Sequence, residues 1–143
     1  MNAAACDRAW LLANLPHQGA MNLLESVQAW DATSLHALAT SHRDGGNPLR
    51  RAGLLPITAG IEYGAQAAAA HGALASSLPS GAGMLASMRG IAFHATRLDD
   101  LASPLDVRVE QLGGGDSGVL YRFHVSCEGR ALVEGRVTVA FTR

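Results

Sequence analysis

Thr58-Ala59-Gly60-Ile61-Glu62-Tyr63-Gly64-Ala65-Gln66-Ala67-Ala68-Ala69-Ala70-His71-Gly72-Ala73-Leu74-Ala75-Ser76-Ser77 is the stretch on which the fold turns. It holds no proline, alanine dominates it, and Leu78-Pro79-Ser80-Gly81 stops it, so it predicts a helix over 58–77. At the usual rise such a helix runs about 30 Å. Its surface is mostly alanine and glycine, which lets neighbouring backbone approach closely. A helix of this kind is expected to be wrapped by other elements.

The sequence around it supplies the wrapping. On the C-terminal side Leu105, Val107 and Val109 alternate with Asp106, Arg108 and Glu110. Val119, Tyr121, Phe123, Val125 and Cys127 alternate with Leu120, Arg122, His124 and Ser126. Val133, Val137, Val139 and Phe141 alternate with Glu134, Arg136, Thr138 and Ala140. Period-two alternation predicts half-buried antiparallel strands, with Gly113–Gly118 and Glu128-Gly129 as their hairpin turns. Met84–His94 is less regular and reads as a central strand buried on both faces.

On the N-terminal side Asp7–Leu15 predicts a short helix ended by Pro16, with Trp10, Leu11 and Leu15 as its apolar side. Asn22–Trp30 and Leu35–Ser41 predict two strands around the turn Asp31-Ala32-Thr33-Ser34. His42–Gly53, rich in glycine and arginine, predicts a long loop, the kind of segment that carries function. The order is a helix, two strands, a long helix and four strands. It gives an α+β chain with a curved six-stranded antiparallel sheet around one central helix, which is the hot-dog arrangement, as a single domain over 1–143. Pairing of exposed sheet edges into a dimer is the natural expectation.

The 143 residues are 48% hydrophobic and 16% charged, with eleven basic and twelve acidic side chains and no basic run. That balance excludes nucleic acid as an expected partner. Cys6 and Cys127 have no ligand spacing and suit a reducing compartment. No signal peptide is expected from Met1–Arg8, and Glu62, Gln66 and His71 interrupt the apolar stretch, so the expectation is a cytoplasmic chain with no membrane span.

Leu15-Pro16-His17-Gln18-Gly19-Ala20-Met21-Asn22-Leu23-Leu24-Glu25-Ser26-Val27 and Leu55-Pro56-Ile57-Thr58-Ala59-Gly60-Ile61-Glu62-Tyr63-Gly64-Ala65-Gln66-Ala67 resemble two segments of the 3-hydroxyacyl-acyl-carrier-protein dehydratase family. The stretch from Leu15 is similar to that family's Leu-Pro-His opening. The stretch from Leu55 resembles the start of its central helix, an acid followed by Ala-Gln. Gly60-Ile61-Glu62-Tyr63 with Ala65-Gln66-Ala67 most resembles a divergent branch associated with aryl polyene pigment clusters.

The resemblance implies the reaction: a 3-hydroxyacyl thioester, carried on the phosphopantetheine of an acyl carrier protein, loses water to give the trans-2-enoyl thioester. It also implies a homodimer or a heterodimer with another hot-dog subunit. No metal cluster, phosphate loop or Gly-x-Gly-x-x-Gly fingerprint in the sequence argues for a cofactor or metal, and none is expected beyond the phosphopantetheine that carries the substrate. In the family a loop histidine and an acid from the partner's helix face each other across a tunnel, and the helix N-terminus meets the thioester carbonyl. The family's histidine belongs to a Gly-His-Phe-Pro segment. Here the corresponding region reads Gly45-Gly46-Asn47-Pro48-Leu49-Arg50, and Ile57 stands where the family has glycine. Either the base comes from another position or the activity is altered.

Among the residues themselves, Glu62 is the candidate acid. Burial raises a carboxyl pKa and a helix N-terminus lowers it. A raised value would let Glu62 protonate the departing 3-hydroxyl. Gln66, one turn on, either holds Glu62, positions substrate, or is a buried amide satisfied by backbone. The N–H groups of Ala59, Gly60 and Ile61 are expected to be free for the thioester oxygen.

For the C2 proton, His17 and His42 are the candidate bases, and a base other than histidine stays open. His71 falls on the far helical face from Glu62, as a surface or interface residue, and His94 and His124 read as outward strand residues. Asn47 can orient a water or a carbonyl. Arg50 and Arg51 either face the phosphopantetheine phosphate or an acidic carrier, or are solvated. Catalytic His17 and Glu62, with Asn47, Gly60 and Gln66 binding substrate, form the expected site. An acyl thioesterase and a non-catalytic subunit pairing with an active one are the competing readings.

Overall fold

The computed structural model describes residues 4–75, 83–114 and 118–141. Helix α1 spans Arg8–Asn14 and helix α2 spans Ala59–Ala75; the strands are β1 Ser26–Trp30, β2 Ser34–Ala39, β3 Gly83–Phe93, β4 Leu105–Gly114, β5 Gly118–Cys127 and β6 Arg130–Phe141. Short 3-10 turns lie at Gly19–Met21 and Ser41–Arg43. The expected ends of the long helix at Ser76 and Ser77, its stop at Leu78–Gly81, and Gly115–Ser117 of one hairpin lie outside the described residues.

The six strands form one antiparallel sheet in the order β1-β2-β4-β5-β6-β3. The local chemistry explains the joints. The Asp31 carboxylate accepts from the Thr33 and Ser34 N–H groups at 2.9 and 2.7 Å, which closes the β1–β2 turn. Glu128 and Gly129 take φ values of +52° and +79° between the paired Cys127 and Arg130, the conformation a two-residue hairpin favours.

Helix α2 is buried on nearly every side, from Ala59 through Gly72, and packs on the inner side chains of the sheet. Small residues make that possible. A Cβ on Gly60 would sit 2.5 Å from Cγ1 of Val133, and one on Gly64 would sit 2.6 Å from the Phe123 ring. The hot-dog fold is therefore the observed fold, a helix enclosed by a curved sheet.

One strand differs from expectation. β3 is not central but lies at the sheet's edge, with β6 as its one neighbouring strand among the described residues, and its residues from Ala86 to Gly90 are exposed. Met88 is 55% and Phe93 46% exposed. Register shifts between Leu85 and Ser87 and between Arg89 and Ala92 break the alternation that would have marked one buried face.

Candidate active site

The site is assembled by three side chains that tie one short segment to both helices. Asp7 caps α1 by accepting from the Trp10 N–H at 2.9 Å, which directs Arg8 back toward the chain that follows. The Arg8 guanidinium donates to the carbonyls of Asn22 and Leu24 at 2.8 and 2.5 Å. Buried Asn22 donates from Nδ2 to the Leu11 carbonyl at 3.0 Å and the His17 carbonyl at 3.3 Å. From α2, Gln66 accepts the Leu23 N–H through Oε1 and donates through Nε2 to the Met21 carbonyl, both at 2.8 Å.

That stapling brings His17 to the first turn of α2. Its Nε2 lies 3.3 Å from Oε1 of Glu62 in the same chain, with the side chains 21% and 27% exposed. Its Nδ1 is buried without a hydrogen-bond partner among the described residues, so Nε2 is the nitrogen that meets the carboxylate. The His17 hydrogen bond lowers the Glu62 pKa; burial opposes it, and the His17 charge and a Gln66 hydrogen bond add to it. Of the two directions left open by the sequence, the downward one holds, because the neighbour outweighs desolvation. Glu62 rests as a carboxylate.

Glu62 opens onto a cavity of about 420 Å³ whose other walls are Leu49, Arg51, Pro56, Thr58, Ala59, Ile61, Leu85 and Met88. Apolar groups dominate it, and Arg51 is its one cation. A further hollow, of about 370 Å³, lies across β1, β2, β4 and β5 between Trp30, His36, Arg108 and Arg122, and includes neither His17 nor Glu62. Glu62 lines the cavity and His17 touches Glu62 from behind it, an arrangement that can exchange protons with an apolar molecule in the cavity.

The sequence profile of the ApeP-like family, described as ApeP dehydratase, matches residues 11–142. The chain belongs to the ApeP-like dehydratases. The dehydratase heterocomplex ApeI:P from Xenorhabdus doucetiae is similar at 29% identity and a TM-score of 0.77, over 90% of this chain and 88% of that one. PaaI from the Escherichia coli phenylacetic acid degradation operon shares the fold at 10% identity and a TM-score of 0.59, over 80% of each chain. So does a hypothetical thioesterase with coenzyme A from Streptococcus pneumoniae TIGR4, at 14% identity and a TM-score of 0.57, over 81% of this chain and 84% of that one. No curated protein sequence matches the chain.

Several expected residues of this ApeP-like dehydratase take other places. Asn47 is almost fully buried and holds its own loop: Nδ2 donates to the Ser41 carbonyl at 3.0 Å and to the Tyr63 hydroxyl at 3.2 Å, while Oδ1 accepts the Leu49 N–H at 2.9 Å. Gln66 is fully buried and spends its amide on the main chain of Met21 and Leu23, which makes it a positioning residue rather than a substrate ligand. The N–H groups of Ala59, Gly60 and Ile61 are not free; they donate to the carbonyls of Pro56, Ile57 and Thr58 at 3.0, 2.9 and 3.1 Å. Gly60 serves instead the close approach of α2 to Val133.

Among the other histidines, His42 is fully buried with Nε2 3.1 Å from the Leu101 carbonyl, and desolvation lowers its pKa. His71 is not at the surface. It is fully buried, Nε2 donating to the Asp31 carbonyl at 2.9 Å and Nδ1 lying 2.8 Å from the Tyr121 hydroxyl. His94 and His124 flank Glu134 on the sheet. Arg50 is committed to the carbonyls of Asp44, His42 and Gly53, which leaves Arg51 at the cavity. Sequence reasoning missed Arg8 and Asn22; Asn22 lies within the Leu-Pro-His segment, whereas Arg8 carried no signal.

Proposed function

We propose that this dehydratase converts 3-hydroxyacyl thioesters, carried on the phosphopantetheine of an acyl carrier protein, to trans-2-enoyl thioesters. The His17–Glu62 contact of 3.3 Å carries the reading. Elimination takes a proton from C2 and delivers one to the 3-hydroxyl as the C3–O bond breaks and the C2–C3 double bond forms. With Glu62 resting as a carboxylate, it is the acceptor of the C2 proton. The doubly protonated ring of His17 then delivers its Nε2 proton to the leaving hydroxyl and is left neutral, so water departs. This reverses the roles expected from the sequence. Afterwards Glu62 returns the proton to His17 along their hydrogen bond, and no net proton is consumed.

Arg51 at the cavity suits the phosphate of the arm, and free Cys6 and Cys127 suit a reducing cytoplasm. No helix among the described residues is long and apolar enough to cross a membrane. The bare β3 edge beside the cavity suits cover by another hot-dog subunit, as in the heterocomplex from Xenorhabdus doucetiae. The deciding assay gives the purified chain a 3-hydroxyacyl-carrier-protein and follows all three products. Interconversion with the enoyl thioester is the expected outcome. Release of free thiol would establish the thioesterase reading instead, and binding without turnover the non-catalytic one.

A further inference from the structure

The outer face of the sheet carries a row of charge that its own chain leaves unfinished. Strand register places Arg89 opposite Arg136, Arg136 opposite Arg122, and Arg122 opposite Glu110. Directly opposed residues share a face with Cβ atoms roughly 4.5–5.5 Å apart, and like charges there repel. All three arginines are exposed. Arg122 is compensated by Glu110 at 3.1 Å, whereas Arg136 and Arg89 have no ion pair among the described residues. Glu134, two residues from Arg136, is taken by His94 at 3.1 Å and His124 at 4.0 Å. The row therefore runs from an acid to two uncompensated cations, and the outermost of them stands on the edge strand.

That edge needs cover: β3 has β6 on one side and no strand on the other among the described residues, with Met88 and Phe93 exposed along it. A two-fold copy pairing along β3 keeps the outer face outward on both chains. It would bring another Arg89, with another Arg136 one strand behind it, toward the same seam. A chain with an acidic side chain there would instead close the row with acid at both ends.

We propose that the Arg89–Arg136–Arg122 row selects against self-pairing through β3 and for a different hot-dog subunit that presents acidic side chains on the outer face of its own edge strand. This rests on the reading that a hot-dog subunit covers β3. Specificity of this sort needs a repulsive element as well as an attractive one, and the row supplies both.

The test uses this chain alone. Sedimentation equilibrium compares the wild type, the double variant Arg89→Glu/Arg136→Glu, and their equimolar mixture, with melting curves to show that all are folded. At low salt the mixed pair is expected to form with a Kd about tenfold below that of the wild type with itself, and about 0.5 M salt, which screens exposed charges within a few ångströms, is expected to erase the gap. Equal dissociation constants at low salt, or a gap indifferent to salt, would overturn the charge selection. No association in any mixture would show that relieving the like charges does not open β3 to pairing, and would overturn the selection. Turnover is not read, so the dehydratase assignment stands or falls separately.

Discussion

The hydrogen bond from His17 lowers the Glu62 pKa, and this gives the pair a signature in pH. A carboxylate whose folded pKa is below its unfolded value, about 4.3 for glutamate, favours the folded state above that value. The benefit is lost as pH falls through the folded pKa. On the proposed mechanism protonation also disables the base, so the acid limb of kcat/KM is expected below the ordinary glutamate range. In His17→Ala the largest lowering influence is gone while burial remains, so the acid limb of the residual rate moves upward. A limb that stays in place would separate the two residues. Glu62→Gln is expected to lower turnover about 10²–10⁴-fold with little change in melting temperature, as the side chain is partly exposed. His42→Ala is expected to leave turnover per folded molecule nearly intact while costing about 1–3 kcal/mol in urea titration, because a buried, bonded ring is removed. The meeting of His17 with Glu62 was legible: the acid through its place at the helix start, the histidine through the Leu-Pro-His segment. The direction of the Glu62 shift was not, because a sequence shows that a carboxyl is buried without showing what lies against it.

Helix α2 joins stability to chemistry, since the face that packs on the sheet and the end that carries Glu62 are one rigid element. Gly64→Ala tests the packing. Its Cβ would meet the Phe123 ring at 2.6 Å in a close-packed interior, which predicts a loss of about 1–3 kcal/mol in chemical denaturation despite alanine's better helix propensity. Gln66→Ala tests the coupling. It strands the Leu23 N–H and the Met21 carbonyl and frees the segment that aims His17, so kcat is expected to fall more than KM changes. A drop in melting temperature with unchanged kcat would make Gln66 purely structural. The wrapped helix and the alternating strands β4, β5 and β6 could be read directly, since small residues and period two are local signals. β3 could not. Its register shifts broke the period, and irregularity at an edge resembles burial on both faces when only the order of residues is known.

The sheet and the cavity end at the same place. Leu85 and Met88 wall the cavity from β3, the strand whose far edge meets no other strand among the described residues. A subunit docked along that edge would satisfy its open backbone groups, cover Met88 and Phe93, and close the cavity beside Glu62 in one step. Hydrogen exchange measures this without any enzymatic readout. In the dissociated chain, β3 amides that face outward have no partner and should exchange as fast as loop amides, while those bonded to β6 are protected. In the associated state, formed at low salt from the wild type mixed with Arg89→Glu/Arg136→Glu, the outward amides between Leu85 and Phe93 are expected to slow by at least about tenfold, with β1 at the opposite edge unchanged. Protection at β1 instead of β3 would place the interface on the other edge. The cavity beside Glu62 would then have to be closed by something other than a neighbouring sheet.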